Sequence, residues 1–372
     1  MQNNFDIRYF AHSWVSDWNH GNAHFLRGLV RALLKAGEKV RCYEELGSWS
    51  LSNLIKQEDE RAITAIDDFR KAFPELKIQF YRNDPRLGEW LARELRGADI
   101  VILHEWNHPR LVNHVLGLKS KLGFRVLLHD THHRSYTSPR EILQFNLHLF
   151  DGVLAFGEAV RRIYANGFGV ERAWTLHEAA DVESFRPLAA EKSMDALWIG
   201  NWGDDERTRE MEEFLVQPAE QLSDLKFVAY GVRYPEAALA RFEHANIEFR
   251  GYLPNLRSPQ AYNQAKVALH IPRRQYANGL SGIPTIRMFE AMACGAFLLC
   301  SPWQDDEGLF RAQQDYVSVG DGAAMQATLR EMSRDERARA QIANNGFETI
   351  RQRHTCAHRA AELIEICKEL GA

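Results

Sequence analysis

Long apolar runs are what this 372-residue chain lacks most plainly: no stretch approaches eighteen uninterrupted apolar residues, so no segment reads as a membrane-spanning helix. The opening MQNNFDIRYF lacks the basic-then-apolar layout of a secretory leader, and a cytoplasmic protein is expected. Cysteine is scarce. The five present, Cys42, Cys294, Cys300, Cys356 and Cys367, are odd in number and have no C-x-x-C spacing, which argues against both a disulfide framework and a cysteine zinc site. Blocks of like charge are missing as well, and a net charge of -4 gives no electrostatic draw toward nucleic acid, so no nucleic-acid partner is expected. Neither an internal repeat of solenoid length nor a low-complexity tract is present.

What is present is a series of short apolar or β-branched runs separated by longer stretches of helical periodicity. The first seven are DIRYFAH, KVRCYEE, KIQFYR, DIVILHE, RVLLHD, GVLAFG and AWTLHE; six more follow as ALWIGN, KFVAYG, IEFRGYL, VALHIP, AFLLCS and YVSVGD. Strands alternating with helices predict parallel sheets covered on both faces, and the two series predict an α/β protein of two doubly wound, Rossmann-like domains. The length suits two domains. In the first helix Phe25, Leu26, Leu29, Val30, Leu33 and Leu34 share one face and Gly37 supplies the stop. The stretch FRPLAAEKSMDA interrupts the alternation and marks the seam. The expected division is residues 1–187, residues 188–350, and a C-terminal helix in 351–372 that crosses back to the first domain.

Ligands of open α/β sheets sit beyond the carboxyl ends of the strands. Many runs end there in a polar or small residue: His12, Glu105, His129-Asp130, Gly157, Glu178, Gly200-Asn201 and Gly231. Two sheets whose strand ends face each other would line a cleft with these groups.

His104-Glu105-Trp106-Asn107-His108 spells H-E-x-x-H, a zinc-protease signature that requires both histidines on one face of a continuous helix. Here the first histidine follows the strand signal DIVIL, and His108 precedes Pro109, which disfavours helical geometry before it. A helix through the motif is not expected. The segment LLHDTHHRS adds His129, Asp130, His132 and His133, so a metallohydrolase built on clustered loop histidines is an alternative from another class. Hydrogen-bonding histidines lining a pocket are the simpler expectation, with His132 and His133 as solvated loop residues.

The second half carries YANGLSGIPTIRMFEAMACGAFLLCS. Pro284 suits the first turn of a helix through TIRMFEAMA, and Gly295 suits its end. Gly279, Ser281 and Gly282 leave the entry uncrowded, so backbone N–H groups of a helix start near Thr285 and Ile286 would form an anion site aided by the helix dipole. Arg287 would add a permanent positive charge, and Glu290 one turn along would accept from two vicinal hydroxyls. An ordinary loop with an Arg287–Glu290 surface pair is the competing expectation.

The string Glu290-Ala291-Met292-Ala293-Cys294-Gly295-Ala296 resembles the second half of the E-G-F-G-x-x-x-x-E-A-M-A-x-G-x-P motif of GT-B glycosyltransferases of the group 1, or family 4, type. The stretch around Asp181, Phe185 and Pro187 is similar to the family's segment before its linker, and HRAAELIEICKEL resembles its C-terminal helix. The departures resemble a divergent branch akin to spore-maturation-type glycosyltransferases.

The resemblance implies a glycosyltransferase that moves a sugar from a nucleotide-diphosphate sugar to an acceptor of unread class: glycan, lipid, protein or small molecule. It implies ribose binding by Glu290, and diphosphate binding around Thr285, Ile286, Arg287, Arg207, Asn201, Gly200 and Gly231, with Arg273 or Arg274 compensating for Asn201. The family's first motif glutamate falls at Gly282. In the first domain it implies a glycine loop with His20, Gly21 and Asn22, and a strand-end histidine, His129, at the reaction centre, with Asp130 and His132 in reserve and Glu105 on the wall of the cleft. Retention of configuration without metal or other cofactor is implied, in line with the missing D-x-D string. Inversion would require a base, with Asp17, His20, Glu105 or Asp130 the first to test. A nucleotide-sugar epimerase or a silent nucleotide-sugar binder would share the fold. Trp14, Trp18 and Trp106 near strand ends permit stacking on sugar rings, and peripheral membrane contact is left open.

Overall fold

The protein is described by a computed structural model covering residues 4–203 and 207–371. It divides into two compact units, one formed by Met1–Glu178 with Cys356–Ala372, the other by Ala179–Thr355.

The first unit is built on a seven-stranded, wholly parallel sheet. Its strands are β1 (Asp6–Phe10), β2 (Lys39–Glu45), β3 (Ile78–Tyr81), β4 (Ile100–His104), β5 (Arg125–Asp130), β6 (Gly152–Ala155) and β7 (Ala173–Thr175), in spatial order β3-β2-β1-β4-β5-β6-β7. The central strands are apolar on both faces, and every residue of β4 is buried, as a sheet covered on both sides demands. The helix Ala23–Lys35 returns the chain from β1 to β2 and buries Phe25, Leu26, Leu29, Val30 and Leu33; Leu34 sits at the margin. The helix Cys356–Glu369 completes this unit, its Cys356 lying against the carbonyl of Phe25.

The second unit repeats the plan with six parallel strands: β8 (Met194–Ile199), β9 (Phe227–Tyr230), β10 (Ile247–Phe249), β11 (Ala265–His270), β12 (Phe297–Cys300) and β13 (Val317–Ser318), in order β10-β9-β8-β11-β12-β13. Trp198, Trp202, Phe214, Phe227 and Phe242 anchor its core. Each of the thirteen apolar runs of the sequence forms one of these strands.

Topology picks out one place in each sheet. Strand order reverses between β1 and β4 in the first unit and between β8 and β11 in the second. At such a reversal the connections leave in opposite directions and open a crevice at the carboxyl ends, where α/β sheets hold their ligands. Among the described residues no helix is long and apolar enough to cross a membrane.

Candidate functional site

At the first reversal, the ends of β1, β4 and β5 and the loop after β1 bring together His12, His20, His104 and His129. The His12 ring lies 4.0 Å from that of His20 and 5.3 Å from that of His104, which in turn lies 6.0 Å from His129. His104 and His129 face each other in register on neighbouring strands. Tyr9, two residues along β1 from Ile7, reaches His129 with a hydroxyl–Nδ1 hydrogen bond. His104 Nε2 meets Thr131 Oγ1 at 3.0 Å. Burial holds all four imidazoles below their ordinary value, His104 at about 3, so they are neutral hydrogen-bonding groups.

Glu105 and Asp130 follow His104 and His129 directly at the ends of β4 and β5. Burial pushes Glu105 up to about 8, against the pull of Arg134; burial and then the Glu105 charge push Asp130 up to about 7. The 3.0 Å contact of His104 Nδ1 with Glu105 Oε2 therefore joins two neutral groups at neutral pH rather than two ions. Tyr164 donates to Asp130 Oδ2 at 2.7 Å, and Arg134 donates to the Glu105 carbonyl at 2.9 Å while stacking over Trp106.

The loop after β1 is clamped from both ends of its polarity. Buried Glu44 accepts from the N–H groups of Trp14 and Val15, and buried Arg27 donates to the carbonyls of the same two residues and to Asp17. Asn22, the residue preceding the helix Ala23–Lys35, donates to the Thr131 carbonyl at 2.9 Å and so ties the Gly21 turn to the end of β5.

The second reversal gathers the other set. The helix Ile286–Ala293 begins beside the end of β11, because His270 Nε2 bonds Thr285 Oγ1 at 2.9 Å. Gly231 and Gly200, at the ends of β9 and β8, are pressed together so closely that a Cβ on Gly231 would lie 2.0 Å from the Gly200 carbonyl oxygen. The Arg207 guanidinium bonds the Asn201 carbonyl and, at 3.0 Å, the Ile271 carbonyl, lacing the ends of β8 and β11. Arg287 and Glu290 form an ion pair joined by the Tyr262 hydroxyl at 3.2 Å. The first N–H groups of a helix have no intrahelical acceptor, so this edge combines backbone donors with two arginines. That is a place suited to a phosphate anion.

Both reversals occur in a recognisable architecture. HepE from Anabaena, solved with UDP and glucose, superposes with a TM-score of 0.69 at 11% identity, over 98% of this chain and 100% of that one. An alpha-glucosyltransferase solved with UDP and a 13-mer DNA gives 0.71 at 12%, over 98% and 100%. Sucrose-phosphate synthase from Thermosynechococcus elongatus gives 0.67 at 14%, over 99% of both. These likenesses establish the fold. No curated protein matches the chain in sequence. Residues 207–365 match the model of a family described as glycosyl transferase-like. The chain has the GT-B fold, and its second half resembles glycosyl transferase-like proteins.

Several residues expected from the sequence stand differently in the structure. The helix begins at Ile286, with Thr285 preceding it, so Pro284 lies ahead of the first turn rather than in it. The Thr285 hydroxyl is engaged by His270. The Arg287–Glu290 pair is not a surface pair, since Glu290 is completely buried. Arg207 is buried among backbone carbonyls, and Arg274 is paired with Glu210. The Arg273 carbonyl accepts from Tyr276 and Ala277. Gly282 adopts φ +86° with Asp306 and Glu307 against it, so a side chain there would be both strained and crowded. Asp17 is held by Arg27.

Of the three tryptophans expected near strand ends, Trp14 and Trp18 are core and Trp106 is exposed. His133 is buried, its Nδ1 at 2.9 Å from Thr137 Oγ1, and not a solvated loop residue. The H-E-x-x-H string runs from the last residue of β4 to His108, which caps the helix Pro109–Leu122. Its two histidines therefore share no helical face. Among the described residues no group of three or more His, Cys, Asp or Glu is arranged to hold a metal ion. Tyr9, Tyr164, Tyr262 and His270 were not singled out as candidates for chemistry, yet polar letters inside DIRYFAH and VALHIP are the signal that marks Tyr9 and His270.

Proposed function

We propose that this protein is a glycosyltransferase that moves a glycosyl group from a uridine-diphosphate sugar to a hydroxyl acceptor, with retention and without a metal. The observation that carries the proposal is the start of the helix Ile286–Ala293 at the β8/β11 reversal, with Arg287 in its first turn. UDP in the solved neighbours supports the choice of nucleotide.

In the reaction the bond from the sugar's anomeric carbon to the diphosphate oxygen breaks and its electron pair stays on the diphosphate. The acceptor oxygen bonds that carbon and its proton leaves. Charge develops on the leaving diphosphate, and preorganised donors stabilise it without reorganising at the moment of reaction. The N–H groups following Thr285 and the charge of Arg287 fill that role, Glu290 and Tyr262 orienting Arg287 from below. Contact of Glu290 with the ribose belongs to the same proposal and requires that its carboxylate be reached beside Arg287. In the first unit His129 bonds an oxygen of the transferred sugar or the acceptor. The net charge of -4 supports an acceptor other than a nucleic acid.

Calorimetric titration with UDP, GDP, ADP and TDP tests the reading. Stoichiometric binding of UDP, weakened about tenfold or more by Arg287→Ala, is expected; no binding of any of the four would remove the proposal.

A further inference from the structure

His129 has one ring nitrogen accounted for and one not. Nδ1 is bonded to the Tyr9 hydroxyl, and Nε2 is buried with no hydrogen-bond partner among the described residues. Both rings are completely enclosed, with Phe25 and His104 packed edge-on against the imidazole and Trp14 against the phenol.

Two arrangements of the shared hydrogen satisfy this geometry. In one, Tyr9 donates to Nδ1 and Nε2 carries the ring hydrogen. In the other, Nδ1–H donates to the phenol oxygen, and the phenol's own hydrogen then points into a buried, apolar setting. A buried hydroxyl hydrogen without an acceptor is costly, and His129 Nδ1 is the one acceptor the described residues offer it. We infer that Tyr9 is a positioning residue that fixes His129 as the Nε2–H tautomer, making it a dedicated hydrogen-bond donor to a substrate oxygen. Burial acts in the same direction, keeping the phenol protonated and the imidazole neutral.

The consequence is chemical. A donor-only imidazole cannot take the proton of an acceptor hydroxyl, so His129 binds an oxygen lone pair and the acceptor's proton leaves by another route. This rests on the proposal that His129 meets substrate; the tautomer itself does not.

Nitrogen-15 spectra of histidine-labelled protein, with His129 assigned by its loss in His129→Gln, read the tautomer directly. A pyrrole-type Nε2 and a pyridine-type Nδ1 are expected, with Tyr9→Phe moving the pattern toward the other tautomer or an average. A pyrrole-type Nδ1 in the parent, or an unchanged pattern in folded Tyr9→Phe, overturns the inference. Turnover of UDP-glucose supplies the second arm. His129→Gln, whose amide reaches the Nε2 position, is expected to retain activity that His129→Asn loses by about a hundredfold, the scale of one lost oxyanion donor. Equal activity of His129→Ala and the parent, beside the expected spectra, removes the substrate role of His129 and leaves the tautomer standing.

Discussion

Replacing Glu290 by alanine tests how the second unit holds its arginine. The carboxylate is fully buried and accepts from Arg287 and from the Tyr262 hydroxyl, while the Arg287 side chain keeps 22% of its surface exposed. Removing one partner of a buried ion pair costs about 3–5 kcal/mol, chiefly because the other charge is stranded. Water reaching Arg287 recovers part of that, and the lost Tyr262 bond adds about 1 kcal/mol, so about 3 kcal/mol is expected. For a unit of this size that is about 6–12 °C in Tm. Glutamine at 290 keeps the shape and an acceptor for Tyr262 and should lose about half as much. Scanning calorimetry, following the transition that UDP shifts, measures both, and a double-mutant cycle with Arg287→Ala should show coupling of about 1–3 kcal/mol. A Glu290→Ala protein melting within 2 °C of the parent, or strict additivity, would refute the reasoning, because the carboxylate would then be solvated and open.

Two further outcomes follow from the same geometry. Gly231→Ala forces a Cβ toward the Gly200 carbonyl and should destabilise by about 1–3 kcal/mol in thermal unfolding, with UDP affinity falling as the strand ends part; a neutral result would show that the two ends are not in contact. Stability should also decline between about pH 7.5 and 8.5. In that window, a full unit above the ordinary 6.5, His12, His20, His104, His129 and His270, all held below that value in the fold, are almost wholly neutral whether folded or not. Glu105 and Asp130, raised to about 8 and about 7, keep protons in the folded state that the unfolded chain has released, so their contribution is present at low pH and lost as pH rises through those values. Melting curves across this range should flatten in Glu105→Gln; a parent profile that rises from about pH 7.5 to 8.5 contradicts the neutral pair.

The strands were legible because burial on both faces writes itself as short apolar runs. The end of β11 and the helix Ile286–Ala293 were legible because strand, glycine-rich loop and helix are contiguous in sequence. The occupancy of that site was not. Whether Arg207 is open to a ligand or laced to the Asn201 and Ile271 carbonyls depends on a separation of 64 residues, which no local pattern encodes. Likewise the spelling around His108 was settled locally, by a strand before it and a proline after it.

The sequence by itself determined the two α/β halves, the strand-end placement of the histidines and a helix start within a residue or two of Ile286, since each follows from periodicity or backbone preference within a few residues. Only the tertiary structure decided that Tyr9 meets His129 across 120 positions, that Glu290 is enclosed with Tyr262, and that Glu105 and Asp130 are buried together at neighbouring strand ends. Those facts depend on which strands lie side by side and how much water is excluded between them, and strand order is a property of the assembled chain.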